Sequence, residues 1–102
     1  MTFGVIVCLV IKSFKDDNAQ AIWEGKLVRA LPIDIQKAAR RKLRMIAAAQ
    51  NLVDLTSPPG NRLEPLKMDR KGQHSIRVND QWRICFIWKS DGAYDVEIVD
   101  YH

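Results

Sequence analysis

Residues 73–102 read QHSIRVNDQWRICFIWKSDGAYDVEIVDYH, and their pattern is the most informative about the fold. Polar side chains alternate here with β-branched and aromatic ones, which is the period of β-strands that have two different faces. The alternating runs are residues 73–78, 82–88 and 94–101, and the turn signals between them are Asn79-Asp80 and Ser90-Asp91-Gly92. Because such short turns join antiparallel neighbours, the pattern predicts an antiparallel meander.

Helical patterns precede the meander. The aspartates at 16–17 are suited to cap a short helix over residues 19–24, which Gly25 would end. Pro32 suits the first turn of a second helix, which runs from residue 33 to about residue 50. The apolar stripe of this second helix consists of Ile35, Ala39, Leu43 and Ile46. Spacings of four, four and three residues keep these side chains on one face, toward a core.

Two further strands are predicted, at residues 5–14 and 63–67, from their β-prone or alternating side chains. The length of 102 residues allows one modest core, so residues 1–102 are predicted to form a single domain. Its fold class is α+β, with two N-terminal helices packed on a C-terminal antiparallel β-sheet. A sheet of this kind buries one face under helices and leaves the other face available for function.

The composition favours a negatively charged partner. The formal net charge is +4, which suits a nucleic acid, an acidic protein or an anionic membrane. Cys8 and Cys85 fit no metal-ligand spacing and indicate no disulfide framework, so a cytoplasmic location is expected. The apolar residues 1–10 are too few to span a membrane, which takes about 20 residues, so no membrane partner is expected.

Ionisable side chains concentrate in the second half of the chain and on the second helix. Alternation places Asp100 and His102 side by side on one face of the last strand. The cations of the meander half are Lys67, Arg70, Lys71, Arg77 and Arg83. The cations of the second helix are Lys37, Arg40, Arg41, Lys42 and Arg44. Either group is consistent with a solvated surface or with a surface that grips phosphates.

Several segments together resemble the HigB branch of the RelE-like toxins. They are IKSFKD, DIQKAARRKLRMIAAAQNLVDL, SPPGNRLEPLKMDRKGQHSIRVNDQWRICF and the terminal VEIVDYH. The resemblance runs in register from about Val10 to the last residue, and residues 1–9 form an apolar extension outside it. One departure is Met68, where similar toxins often have Gly in a K-G-D-R loop.

The resemblance implies a RelE-like, microbial-RNase-type fold and a toxin of a type II toxin–antitoxin system. It implies cleavage of mRNA in the A site of the 70S ribosome, without a metal or other cofactor. It also implies neutralisation by a helix-turn-helix antitoxin of the HigA type. The catalytic residues of the family fall on Lys67, Arg83, Asp100, Tyr101 and His102 of this sequence.

These residue types suit metal-free cleavage of RNA to a 2′,3′-cyclic phosphate. His102 is assigned to proton transfer because imidazole titrates near neutral pH, although Lys67 is an alternative base. Lys67 and Arg83 suit stabilisation of the negatively charged phosphorane. Tyr101 can stack on an unpaired base, and Asp100 can orient a cationic partner. RNA-binding roles are expected for Lys37, Arg40, Arg41, Arg44, Arg70, Lys71, Arg77 and His74, the last by packing or base stacking.

Two other functions are consistent with the sequence. One is a non-catalytic basic module that binds RNA or protein in a repressor complex, with the same residues as a phosphate-binding surface. The other is a free-standing ribonuclease that acts on naked RNA. The small number of acid–base groups favours an enzyme that relies on the ribosome to position its substrate.

Overall fold

The structure is a computed structural model and describes residues 11–100. Its helices are α1 (Asp17–Trp23) and α2 (Ile33–Ala48), and its strands are β1 (Glu64–Pro65), β2 (His74–Arg77), β3 (Trp82–Lys89) and β4 (Gly92–Asp100). Short 3₁₀ turns lie at Leu52–Thr56, Pro59–Asn61 and Met68–Arg70. The element order confirms the α+β prediction, with the helices before the sheet.

Both helices form where their capping and apolar residues predict them. The Asp16 carboxylate accepts a hydrogen bond from the Ala19 backbone N–H and so caps α1. In α2 the predicted stripe is buried, with Leu43 and Ile46 fully inaccessible to solvent. The helix ends at Ala48, two residues before the predicted end, because Ala49 adopts an extended backbone conformation.

The four strands form one sheet in the order β1-β2-β3-β4, with every pair of neighbours antiparallel. This order confirms the meander. The predicted strand at 63–67 is shorter than expected, because pairing with β2 covers only β1 before the chain turns at Met68. A register shift lies between Cys85 and Ile87, where β4 has an extra residue.

The chain before α1 lies along β4. Ile11 bridges to Ala93 and Phe14 bridges to Val96, and both bridges are parallel. The predicted first strand at 5–14 is therefore present in its described part only as two isolated bridges, and residues 5–10 lie outside the described part of the chain. These contacts give β4 a parallel neighbour, so the sheet is not purely antiparallel along this edge.

The helices cover one face of the sheet. The core there is formed by apolar side chains of both helices and by Ile76, Ile84, Phe86, Val96 and Ile98. Because side chains alternate along a strand, Arg83 and Cys85 point to the opposite face, which the helices leave uncovered. Over residues 11–100, no helix is both long and apolar enough to cross a membrane.

Candidate functional site

The uncovered face of the sheet carries two cross-strand rows of side chains. Ser75, Cys85 and Glu97 are register partners in the first row. Arg77 and Arg83 are partners in the second row, which ends at Val99 in β4. Directly opposed residues share a face, so the register brings these polar groups together at the centre of the sheet.

Arg83 is held firmly on this face. Its side chain is only 11% exposed, and its Nε donates to the Ser75 hydroxyl at 2.8 Å. Its Nη2 donates to the Arg62 backbone carbonyl and lies 3.7 Å from a Glu64 carboxylate oxygen. Contacts on several sides fix the guanidinium plane, which preorganises it to bind an anion in a defined orientation.

Arg83 borders a cavity of about 350 Å³ that opens to solvent. The lining residues are Arg62, Glu64, Arg77, Asn79, Asp80 and Arg83. Arg77 forms an ion pair with Asp80, and Arg83 has Glu64 nearby. Three guanidinium groups against two carboxylates leave the cavity with positive charge, and its size suits a phosphate group with part of a nucleotide.

Two further cations, Lys15 and Arg70, lie beside the row of Ser75, Cys85 and Glu97 and contact Glu97. The Glu97 carboxylate is only 14% exposed and accepts from Arg70 Nη1 at 2.9 Å, while Lys15 Nζ lies 3.5 Å away. Arg70 also donates to the Gln73 amide oxygen. Burial raises the pKa of the neighbouring Cys85 thiol, so this side chain stays protonated at neutral pH and is not a nucleophile.

The loop that presents the Arg62 carbonyl is anchored from inside the protein. Asn61 is fully buried, donates to the carbonyls of Leu55 and Ser57, and accepts a hydrogen bond from Lys42 Nζ. Lys42 is itself 8% exposed, and burial lowers the pKa of its ammonium group. Arg62 follows with a φ of 45°, which turns the chain toward β1. The Lys42–Asn61 contact thus supports the Arg83 environment.

The sequence pattern predicts Lys42 to be one of the surface cations of α2, and this prediction is wrong, because Lys42 is buried. The helical spacing already contained the signal, because Lys42 directly precedes Leu43 and is seven residues after Ile35, both of which are buried. Its polar partner in the PPGN segment is distant in sequence, and the pairing is visible only in the folded chain.

Replacing Lys42 with Ala is expected to lower the free energy of unfolding by about 1–3 kcal/mol, because the buried Asn61 oxygen then has no donor. The matched control is Lys37→Ala, an exposed position on the same helix, where the change should stay within about 0.5 kcal/mol. Urea unfolding followed by circular dichroism measures both values. Equal stabilities of the two variants would contradict the anchoring role.

Lys67 lies away from Arg83. It follows β1 and precedes the 3₁₀ turn at Met68–Arg70, at the end of the sheet opposite to the Arg83 row. Met68 has a φ of 58° and a side chain exposed to 90%. This left-handed conformation is easy for Gly and costs other residues about 1–2 kcal/mol. The loop therefore keeps a backbone suited to Gly although the sequence departs from the K-G-D-R pattern.

Asp100, another predicted catalytic residue, is the last residue of β4. It is the register partner of Trp82, on the side of Ile84 and Ile98, and accepts from the Gln81 amide at 3.1 Å. Arg83 therefore points to the opposite face of the sheet, and the structure does not place the two side chains side by side. Tyr101 and His102 lie outside the described residues, so their roles stay predictions.

The predicted RNA-binding residues fall on different surfaces. Arg77 lies beside Arg83, Arg70 contacts Glu97, and Lys71 is exposed in the turn before β2. His74 lies on the helix-covered side, with its ring stacked 6.5 Å from Phe86 and its Nδ1 buried without a hydrogen bond. This position favours packing over base stacking for His74.

The cations of α2 are on the helix layer rather than on the uncovered face. The exposed members are Lys37, Arg41 and Arg44. Arg40 is half-buried, and its guanidinium lies so close to Gly25 that a Cβ there would meet Nη2 at 2.8 Å. In the described part of the chain, no three His, Cys, Asp or Glu side chains are grouped as metal ligands.

Comparisons with known proteins agree with the fold and the motifs. Residues 12–102 match the family described as the RelE-like toxin of the type II toxin–antitoxin system HigB. Toxin HigB-1 of Vibrio cholerae is 46% identical over 76 residues, which is 74% of this chain and 80% of that protein. Endoribonuclease HigB of Proteus vulgaris is 32% identical over 93 residues, 91% of this chain and 100% of that protein.

A solved structure shows the same architecture. The crystal structure of YafQ from Escherichia coli superposes with a TM-score of 0.53 at 17% identity, over 88% of this chain and 90% of YafQ. At this identity the similarity concerns the fold alone. The family match covers nearly the whole chain, and the relatives match over most of their own length. The chain belongs to the HigB family of RelE-like toxins of type II toxin–antitoxin systems.

Proposed function

We propose that this chain is a ribosome-dependent, metal-independent endoribonuclease that cuts mRNA at the A-site codon and thereby stops translation in the cytoplasm. The observation that carries the proposal is the preorganised Arg83 on the uncovered face, beside a cavity with three arginines. The name of the Proteus vulgaris relative, Endoribonuclease HigB, supports the same reaction. An antitoxin follows from the family, and we propose that it is a helix-turn-helix protein of the HigA type.

The proposed reaction is an internal displacement at phosphorus. A base removes the 2′-hydroxyl proton, the O2′–P bond forms, and the P–O5′ bond breaks as an acid protonates the departing oxygen. The products are a 2′,3′-cyclic phosphate and a 5′-hydroxyl. Arg83 neutralises the charge that develops on the phosphorane, and its rigid contacts favour this role because they require little reorganisation during the reaction.

Proton transfer is assigned to His102, with Lys67 as the second candidate for the base and Asp100 and Tyr101 as groups that orient or stack. The register separates the backbone of Lys67 from Arg83 along the sheet, so both groups contact the substrate only if the RNA extends between them. A decoding ribosome would supply the remaining alignment, since intramolecular positioning lowers barriers by several kcal/mol.

The proposal is tested by primer extension on translating ribosomes with wild-type protein, Lys67→Ala and the control Lys12→Ala. We expect cuts within the A-site codon for wild type and the control, and at least about a tenfold lower rate for Lys67→Ala. Lys12 is an exposed cation before α1 and lies along the opposite edge of the sheet.

The same assay on naked mRNA separates the other functions. Cuts of equal rate without ribosomes would identify a free-standing ribonuclease. The absence of cuts by folded wild-type protein, with ribosome binding retained, would identify a non-catalytic binding module.

A further inference from the structure

An apolar groove lies on the helix layer, apart from the candidate active site. It consists of two adjoining cavities of about 450 and 430 Å³, between the loop after α1 and the first turns of α2. Leu27 and Ile33 line both cavities and are 81% and 76% exposed. Large apolar side chains that stand this far out of a small domain indicate an interaction surface.

The groove is held in shape by a buried glutamine. Gln36 is 5% exposed, accepts from the Val28 backbone N–H at 3.0 Å, and donates to the carbonyls of Val28 and Leu31. These bonds tie the loop to α2, so Leu27 and Ile33 are presented on a fixed backbone. A preformed groove loses little conformational entropy when it binds a partner.

The charges around the groove define the partner. Four cations line the two cavities, namely Lys26, Arg29, Lys37 and Arg40, against one lining acid, Asp34. A partner that is complementary to this groove needs apolar side chains to contact its apolar floor. It also needs acidic side chains to pair with the cations around the rim. An amphipathic helix with an acidic border meets both needs, since helices commonly seat apolar anchors in grooves of this kind.

We propose that this groove is the docking site of the antitoxin, which contributes an acidic amphipathic helix whose apolar face contacts Leu27 and Ile33. The inference rests on the family membership, which supplies an antitoxin as partner. Ribosomal RNA suits the surface less well, because phosphates gain nothing from the two exposed aliphatic side chains. The groove is on the helix layer, whereas Arg83 points to the uncovered face of the sheet.

The experiment uses calorimetry to measure how tightly this chain binds its purified cognate antitoxin, the proposed HigA-type protein. All toxin samples carry His102→Ala, so that binding is measured independently of cleavage. We expect Leu27→Ser and Ile33→Ser each to raise the Kd at least about tenfold, because each removes an exposed apolar side chain that the bound helix would cover. The matched control is Val53→Ser, a 66% exposed aliphatic position outside both cavities, which should leave the Kd unchanged.

Lys37→Glu should also raise the Kd and weaken its dependence on salt concentration, which identifies the acidic rim of the partner. Unchanged antitoxin affinity in both Leu27→Ser and Ile33→Ser would overturn the proposal. So would a loss of sedimentation with ribosomes in these variants while antitoxin binding persists, since the groove would then be an RNA surface. Leu27→Ser and Ile33→Ser are also expressed with His102 intact, and growth arrest is measured. This measurement tests the proposed nuclease activity separately from antitoxin binding.

Discussion

The His102→Ala variant is expected to cleave A-site codons about 10²–10⁴-fold more slowly than wild type, while it folds and binds ribosomes normally. This range is the usual contribution of a positioned acid or base to proton transfer. Primer extension on stalled, translating ribosomes measures the rate, and sedimentation with ribosomes measures binding. The residual activity should come from Arg83 and from the alignment that the ribosome supplies.

The second histidine provides the matched control. His74 packs against Phe86 on the helix-covered side, so His74→Tyr keeps an aromatic ring there and should leave the cleavage rate within about twofold of wild type, a difference of roughly 0.4 kcal/mol. Equal cleavage rates for His102→Ala and wild type would assign proton transfer to another group, with Lys67 as the first candidate.

The Arg83→Ala variant is expected to lose about 10²–10³-fold in cleavage rate, which is typical when one preorganised donor to a developing oxyanion is removed. The reason is geometric as well as electrostatic. Ser75 and the Arg62 carbonyl hold the guanidinium in one orientation, so an alkyl-ammonium group cannot replace it fully. Arg83→Lys should therefore recover only part of the rate, although it restores the charge.

Arg77→Ala is the control for loss of a cation on the same face. Arg77 is the register partner of Arg83 and pairs with the exposed Asp80, so its removal should weaken RNA binding more than it slows the bond-breaking step. Single-turnover kinetics at saturating ribosome concentration separates the two effects. Because Arg83 is nearly buried beside Glu64, the unfolding free energies of all variants are measured in parallel. Equal single-turnover rates for Arg83→Ala and wild type would remove Arg83 from the catalytic set.

Local patterns in the sequence determined the helices and strands of this protein. The alternation over residues 73–102 and its two turns predicted the meander, and the structure confirms β2, β3 and β4 within two residues of their predicted ends. The apolar stripe of α2 predicted the buried face of that helix correctly. These predictions succeed because helix and strand periods are properties of consecutive residues, which the sequence displays directly. The motifs likewise indicated the toxin family.

The contacts between side chains of different segments depend on the tertiary structure. Alternation assigns faces within one strand, but only the register between strands shows that Arg83 and Asp100 point to opposite sides of the sheet. The burial of Lys42 depends on Asn61, which is 19 residues away, and the groove at Leu27 depends on how a loop packs against α2. Such contacts join segments that are distant in the chain, and no periodic pattern of the sequence relates these segments. The contacts form only when the helices and the sheet pack together.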